Sequence, residues 1–172
     1  MMKLEQDERL NTDGINLLVS ILVCYPEIGT LNFEPINDSL KMTFVLNRMP
    51  SEKEFLLVKD TIFRSILTYH SLEGFKSNKI DITMSSYENV AFISFVRDMD
   101  TLSKGEIALI STLMKENFEE SLVTDGNTTP AEEEGIFQED FIDNMIGNMK
   151  MNQMATNLIG IREEGRVMVF NK

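Results

Sequence analysis

Apolar and polar residues alternate over Ile80, Asp81, Ile82, Thr83 and Met84. A period of two marks a strand with one buried and one wet face. A polar turn over 85–89 leads into a second run, in which Val90, Phe92, Ser94 and Val96 share one face and Ala91, Ile93, Phe95 and Arg97 share the other. Both faces carry apolar residues, so this strand is expected at the centre of a sheet, covered on both sides. Ser103, Lys104, Gly105 and Glu106 then form a capping box, with the Ser103 hydroxyl and the Glu106 carboxylate positioned to satisfy free backbone donors at a helix start. Ile107, Ile110, Met114 and Phe118 follow at helical spacing. A hairpin with a helix lying across it is the predicted unit.

The unit recurs earlier in the chain. Leu31, Asn32 and Phe33, a turn at Asn37 and Asp38, and the run 40–46 give a first hairpin, and a second capping box begins at Ser51. Phe55, Val58, Ile62, Ile66 and Tyr69 mark the buried face of the helix that follows; Lys53, Lys59, Asp60, Arg64 and Thr68 mark the wet one. Gly74 is placed to stop that helix. Few side chains match when the two units are superposed, so the repeat is one of structure and not of sequence.

Two appendages flank these units. Residues 15–25 read as a helix that is apolar nearly all round, with Asn16, Ser20 and Cys24 as a narrow small or polar stripe and Pro26 as its stop, and their β-branched content leaves a strand as the alternative. Residues 1–13 are polar and are expected to fray. At the other end, 124–135 has no apolar period, a proline, two glycines and a run of glutamates, the composition of a linker. Beyond it, Phe137, Phe141, Met145 and Met149 recur at fourfold spacing along a helix expected to reach Met154, and a hairpin turns at Glu163, Glu164 and Gly165. This C-terminal piece is too small to fold alone. The expected organisation is a core domain over 1–123, an acidic linker over 124–135, and a helix and hairpin over 136–172 docked on the core or on a second subunit. The fold class is α+β, with a mainly antiparallel sheet, since hairpin turns are too short for crossovers.

Charge narrows the candidate partners. The chain carries a net charge of −12, but the acidic excess is concentrated between Glu116 and Met149, where there is no lysine or arginine. The rest is nearly balanced. Nucleic-acid binding needs a cationic patch to displace counterions, and none is present, so no nucleic-acid partner is expected. No apolar run approaches the ~20 residues of a membrane-spanning helix, so no membrane partner is expected either. One cysteine and no secretory leader point to a cytoplasmic protein.

Tests for specific chemistry return little. Cys24 and His70 are the single cysteine and the single histidine, far apart in sequence, which leaves no zinc set and no Cys–His nucleophile. His70, near the end of its helix, is expected to serve the helix dipole when charged. The series Asp125, Asn127 and Thr129 resembles a calcium loop, but Pro130 and Ile136 stand where glycine and glutamate are required. There is no phosphate-binding loop and no nucleophile elbow. No catalytic, metal or cofactor-binding residue is therefore expected, and no cofactor.

The order helix, two strands, helix, two strands, helix over 13–123, together with the acidity, resembles the small acidic dimeric chaperones of type III secretion. That resemblance lies in element order and acidity, with no residue motif to carry functional residues across. It implies a non-enzymatic protein-interaction module, chaperone-like or regulatory, that self-associates as a dimer and binds a protein client. Phe137, Phe141, Met145, Met149 and Met154 form the candidate interaction surface, because flexible thioether side chains adapt to more than one partner. The alternative is a small-molecule binder or enzyme with a carboxylate-lined pocket between sheet and helices.

Overall fold

The structure, a computed structural model, describes residues 2–74, 76, 79–124, 142–147 and 157–171, with side chains described from 12 onward. Its elements in chain order are α1 (Met2–Cys24), β1 (Ile28–Glu34), β2 (Ser39–Leu46), α2 (Glu52–Glu73), β3 (Ile80–Tyr87), β4 (Val90–Asp98), α3 (Lys104–Phe118), β5 (Leu158–Glu163) and β6 (Arg166–Asn171). The protein is α+β. Its six strands form one sheet in the order β3-β4-β2-β1-β5-β6, and every neighbouring pair is antiparallel.

Local chemistry fixes the hairpins. Glu88 and Asn89 have φ of 47° and 68°, and Glu164 and Gly165 have φ of 49° and 77°. Two successive left-handed residues make the tight turn whose twist matches that of the strands it joins. The first of these turns is shorter than the expected 85–89, because Ser85, Ser86 and Tyr87 continue β3 and pair with Phe92, Ala91 and Val90.

The two hairpin-plus-helix units meet through β2 and β4, which pair along their whole lengths from Ser39 opposite Asp98 to Leu46 opposite Ala91. The sheet face bearing Leu40, Met42, Phe44, Ala91, Ile93 and Phe95 packs under the helices and is fully buried. Phe44 and Phe95 meet there edge to face, with centroids 5.5 Å apart. On the opposite face Val45, Phe92 and Val96 are only half-buried, where cover on both sides of β4 was expected. The pair at its centre, Thr43 and Ser94, is buried and shares a 3.0 Å hydroxyl contact.

α1 lies on β1, β5 and β6. Its helix extends back to Met2, well before the apolar run, so the backbone of the expected frayed segment is helical. Leu17, Leu18, Ile21 and Leu22 face the sheet, and Ser20 is buried with them. Ile15 and Asn16 are exposed and Val19, Val23 and Cys24 half-buried, so of the small or polar stripe Ser20 alone is buried. Gly160 of β5 explains the close approach, since a Cβ there would stand 3.0 Å from Leu22 Cδ1. The β5–β6 hairpin therefore belongs to the main sheet, joined edge to edge with β1 and roofed by α1. Residues 142–147 are helical, with Ile142 and Ile146 buried in the same core, and the Asp143 carboxylate accepts the Lys104 N–H at 3.1 Å at the start of α3.

Candidate interaction surface

α2 and α3 start as their serines dictate. Ser51 and Ser103 occupy the N-cap positions in extended backbone, and their hydroxyls accept from Glu54 N–H and Glu106 N–H. The second half of each expected box is used differently. Glu54 reaches Arg48, with its oxygens at 2.7 and 3.0 Å from the guanidinium, and Glu106 turns inward to Arg97. In both units a strand-end arginine claims the helix-start glutamate, because a bidentate charged pair outweighs a single hydrogen bond to a backbone amide.

The Arg97–Glu106 pair is the more consequential, since neither side chain has any solvent exposure. Arg97 Nε donates to Glu106 Oε2 at 2.5 Å and Nη2 donates to Oε1 at 2.8 Å. Nη1 donates to the Lys79 carbonyl and to Asp98 Oδ1. His70 Nε2 contacts the same Glu106 Oε1. Nη2 has only two hydrogens, and Glu106 and Thr101 Oγ1 lie closer to it than His70 Nε2 does, at 2.8 and 3.0 Å against 3.2 Å. The proton in the His70–Glu106 contact therefore sits on Nε2, with the imidazole donating. Burial works against the Arg97 charge, but hydrogen bonding and attraction from Glu106 and Asp98 more than offset it, and its pKa is raised. Burial likewise acts to raise the Asp98 pKa, yet hydrogen bonds from Thr101 and Lys79 N–H and the charge of Arg97 leave it lowered.

His70 is thus not a solvent-facing partner of the helix dipole. It is 2% exposed and ties the end of α2 to the start of α3 and the end of β4. Tyr69, expected on the buried face, is half-buried and shares a hydroxyl contact with Ser103 at 3.1 Å. Side chains closed off from solvent offer a substrate no approach, so the cluster is a clamp between elements. The sequence signal for it was Arg97 itself, a charge in register with Ile93 and Phe95 on the helix-covered face, which requires a buried carboxylate nearby.

A cleft of about 310 Å³ lies at the ends of β1 and β2 beside the β5–β6 turn, lined by Pro26, Gly29, Val45 and Val123 with Arg162 and Glu164. Arg162 Nη2 donates to the Leu22 carbonyl and, at 3.4 Å, to that of Tyr25, so it caps the C-terminus of α1.

The surface that stands out is the outer side of α2. Its inner side buries Phe55, Val58, Ile62, Ile66 and His70. Its outer side presents Leu56, Leu57, Phe63 and Leu67, which are 53%, 62%, 37% and 43% exposed. Lys53, Asp60, Arg64 and Thr68 are exposed there as expected, while Lys59, expected with them, is half-buried with its ammonium 5.9 Å from the centroid of the Phe55 ring. The four apolar residues among them lay outside that expectation, because one buried face was already complete without them. Of the expected surface in the C-terminal segment, Met145 is half-buried against the core, while Phe137, Phe141, Met149 and Met154 lie outside the described residues.

Among the described residues no helix is long and apolar enough to cross a membrane. The molecule is an α+β protein in which an all-antiparallel sheet carries helices on one face. No protein-family model, curated protein or solved structure matches the chain.

Proposed function

We propose that this chain is a non-enzymatic protein-interaction module that associates with itself and holds a client or regulatory partner elsewhere on its surface. The carrying observation is the outer face of α2, where four large apolar side chains stand exposed on one helix in a protein whose core is otherwise well closed. Clustered apolar exposure of this kind marks an association site, whereas single exposed leucines mean nothing. Among the described residues no helix covers the opposite face of the sheet, which offers a second, flatter apolar surface through Val45, Phe92, Val96, Ile159 and Ile161, suited to a client.

Sedimentation velocity on the full chain tests the self-association. A concentration-dependent dimer is the expected result; a monomer throughout the range from about 1 to about 200 µM, the affinity expected for a small interface, rejects it.

A further inference from the structure

We infer that the partner on the outer face of α2 is the same helix of a second copy, running antiparallel across a twofold axis level with Ile62. The inference rests on the proposed self-association and adds its geometry. Leu57, Asp60, Arg64 and Leu67 are all exposed on one side of α2, where positions three and four apart share a face. Their spacing is symmetric about residue 62. Leu57 and Leu67 stand five residues to either side, and Asp60 and Arg64 stand two residues to either side. A twofold axis level with that point carries each residue onto the same residue of the second copy, and so sets Leu57 level with Leu67 of that copy and Asp60 level with its Arg64. Leucine then meets leucine at both ends, and the acid of each copy meets the base of the other. Phe63 lies one residue from the level of the axis, on the flank of that face.

A helix without this symmetry would not pair with itself in the same way. Shifting the axis by half a residue, so that Leu56 meets Leu67, sets Asp60 level with Phe63 and leaves neither cross-copy ion pair. Within one copy Asp60 and Arg64 already form an ion pair at 3.1 Å. Both groups are largely exposed, so they can exchange partners across an interface at little cost. α2 has 22 residues and is about 33 Å long. A contact confined to it lies at the small end of specific interfaces.

Charge exchange tests the arrangement. Asp60→Arg sets the introduced guanidinium against the partner copy's second arginine at both ends of the contact, and Arg64→Asp sets two acids together at the same two places. Each single variant is expected to weaken dimerisation by roughly tenfold or more. Two routes restore it: combining both substitutions in one chain, and mixing the two single variants, which then form a heterodimer with both pairs complementary. A merely local role for the ion pair within one helix would move the melting temperature but would give no rescue on mixing. If the parent sediments as a monomer, the self-association reading falls and this inference with it. If the parent is a dimer and the single variants dimerise equally well, or mixing does not restore the dimer, the antiparallel α2 arrangement is overturned while self-association stands.

Discussion

Arg97 and Glu106 are the residues on which the packing of α2, α3 and β4 turns. Removing one partner of a wholly buried pair leaves the other charge without compensation, which costs about 3–5 kcal/mol. Glu106→Ala should therefore lower the urea midpoint severely, and Arg97→Met combined with Glu106→Leu should cost less than the sum of the single changes. The equivalent pair at Arg48 and Glu54 is partly solvent-exposed, and Glu54→Ala should cost no more than ~1 kcal/mol. Asp98 adds a pH dependence. Its folded pKa is lowered, so its contribution is fully present above the unfolded aspartate value of about 3.9 and is lost as pH falls from there through the folded value. Asp98→Asn should be less stable than the parent at neutral pH, with a shallower loss of stability below about pH 4. Equal acid limbs in the two proteins would remove Asp98 from that role.

At the level of elements, the two N-caps offer a matched comparison. Ser51→Ala removes one acceptor for the Glu54 N–H and should cost about 1 kcal/mol. Ser103→Ala removes the corresponding acceptor for Glu106 N–H and also the partner of the Tyr69 hydroxyl. It should cost more than Ser51→Ala by the value of one hydrogen bond, ~1 kcal/mol, in denaturant unfolding of both variants. Gly160→Ala addresses how α1 seats on the sheet. The added methyl meets Leu22 and Leu18, and α1 must lift or repack, at an expected cost of about 1–3 kcal/mol. Unchanged stability would mean that α1 rides further from β5.

For the whole molecule, the β5–β6 hairpin decides whether the sheet closes over α1. A chain ending at Val123 would leave β1 as an open edge and expose Leu18 and Leu22, which Gly160 and its neighbours now cover. Exposed edges and uncovered apolar helices promote aggregation. The truncated chain is expected to melt far below the parent and to aggregate on concentration, as read by thermal unfolding and light scattering. A truncated chain with the parent's melting temperature would show that α1 finds its cover elsewhere. The α2 variants, in contrast, should change the association state while leaving the melt of the protomer nearly intact.

The amino-acid sequence by itself determined the local elements. Period-two runs, Ser51 and Ser103 as caps, Gly74 as a helix stop with φ of 82°, and the turn residues near Asn89 and Gly165 each act within a few neighbouring positions, so they are legible without the fold. What only the tertiary structure decided is what those elements do to one another. His70, Arg97 and Glu106 come from three separate elements, and their convergence depends on how α2 and α3 cross the sheet. The hairpin after Leu158 could have paired with β1 or with another chain, since hydrogen bonding along a strand edge carries no address in its own sequence. Leu57 and Leu67 belonged to neither the buried nor the wet face that the periodicity marked, and the packing leaves them exposed beside Asp60 and Arg64.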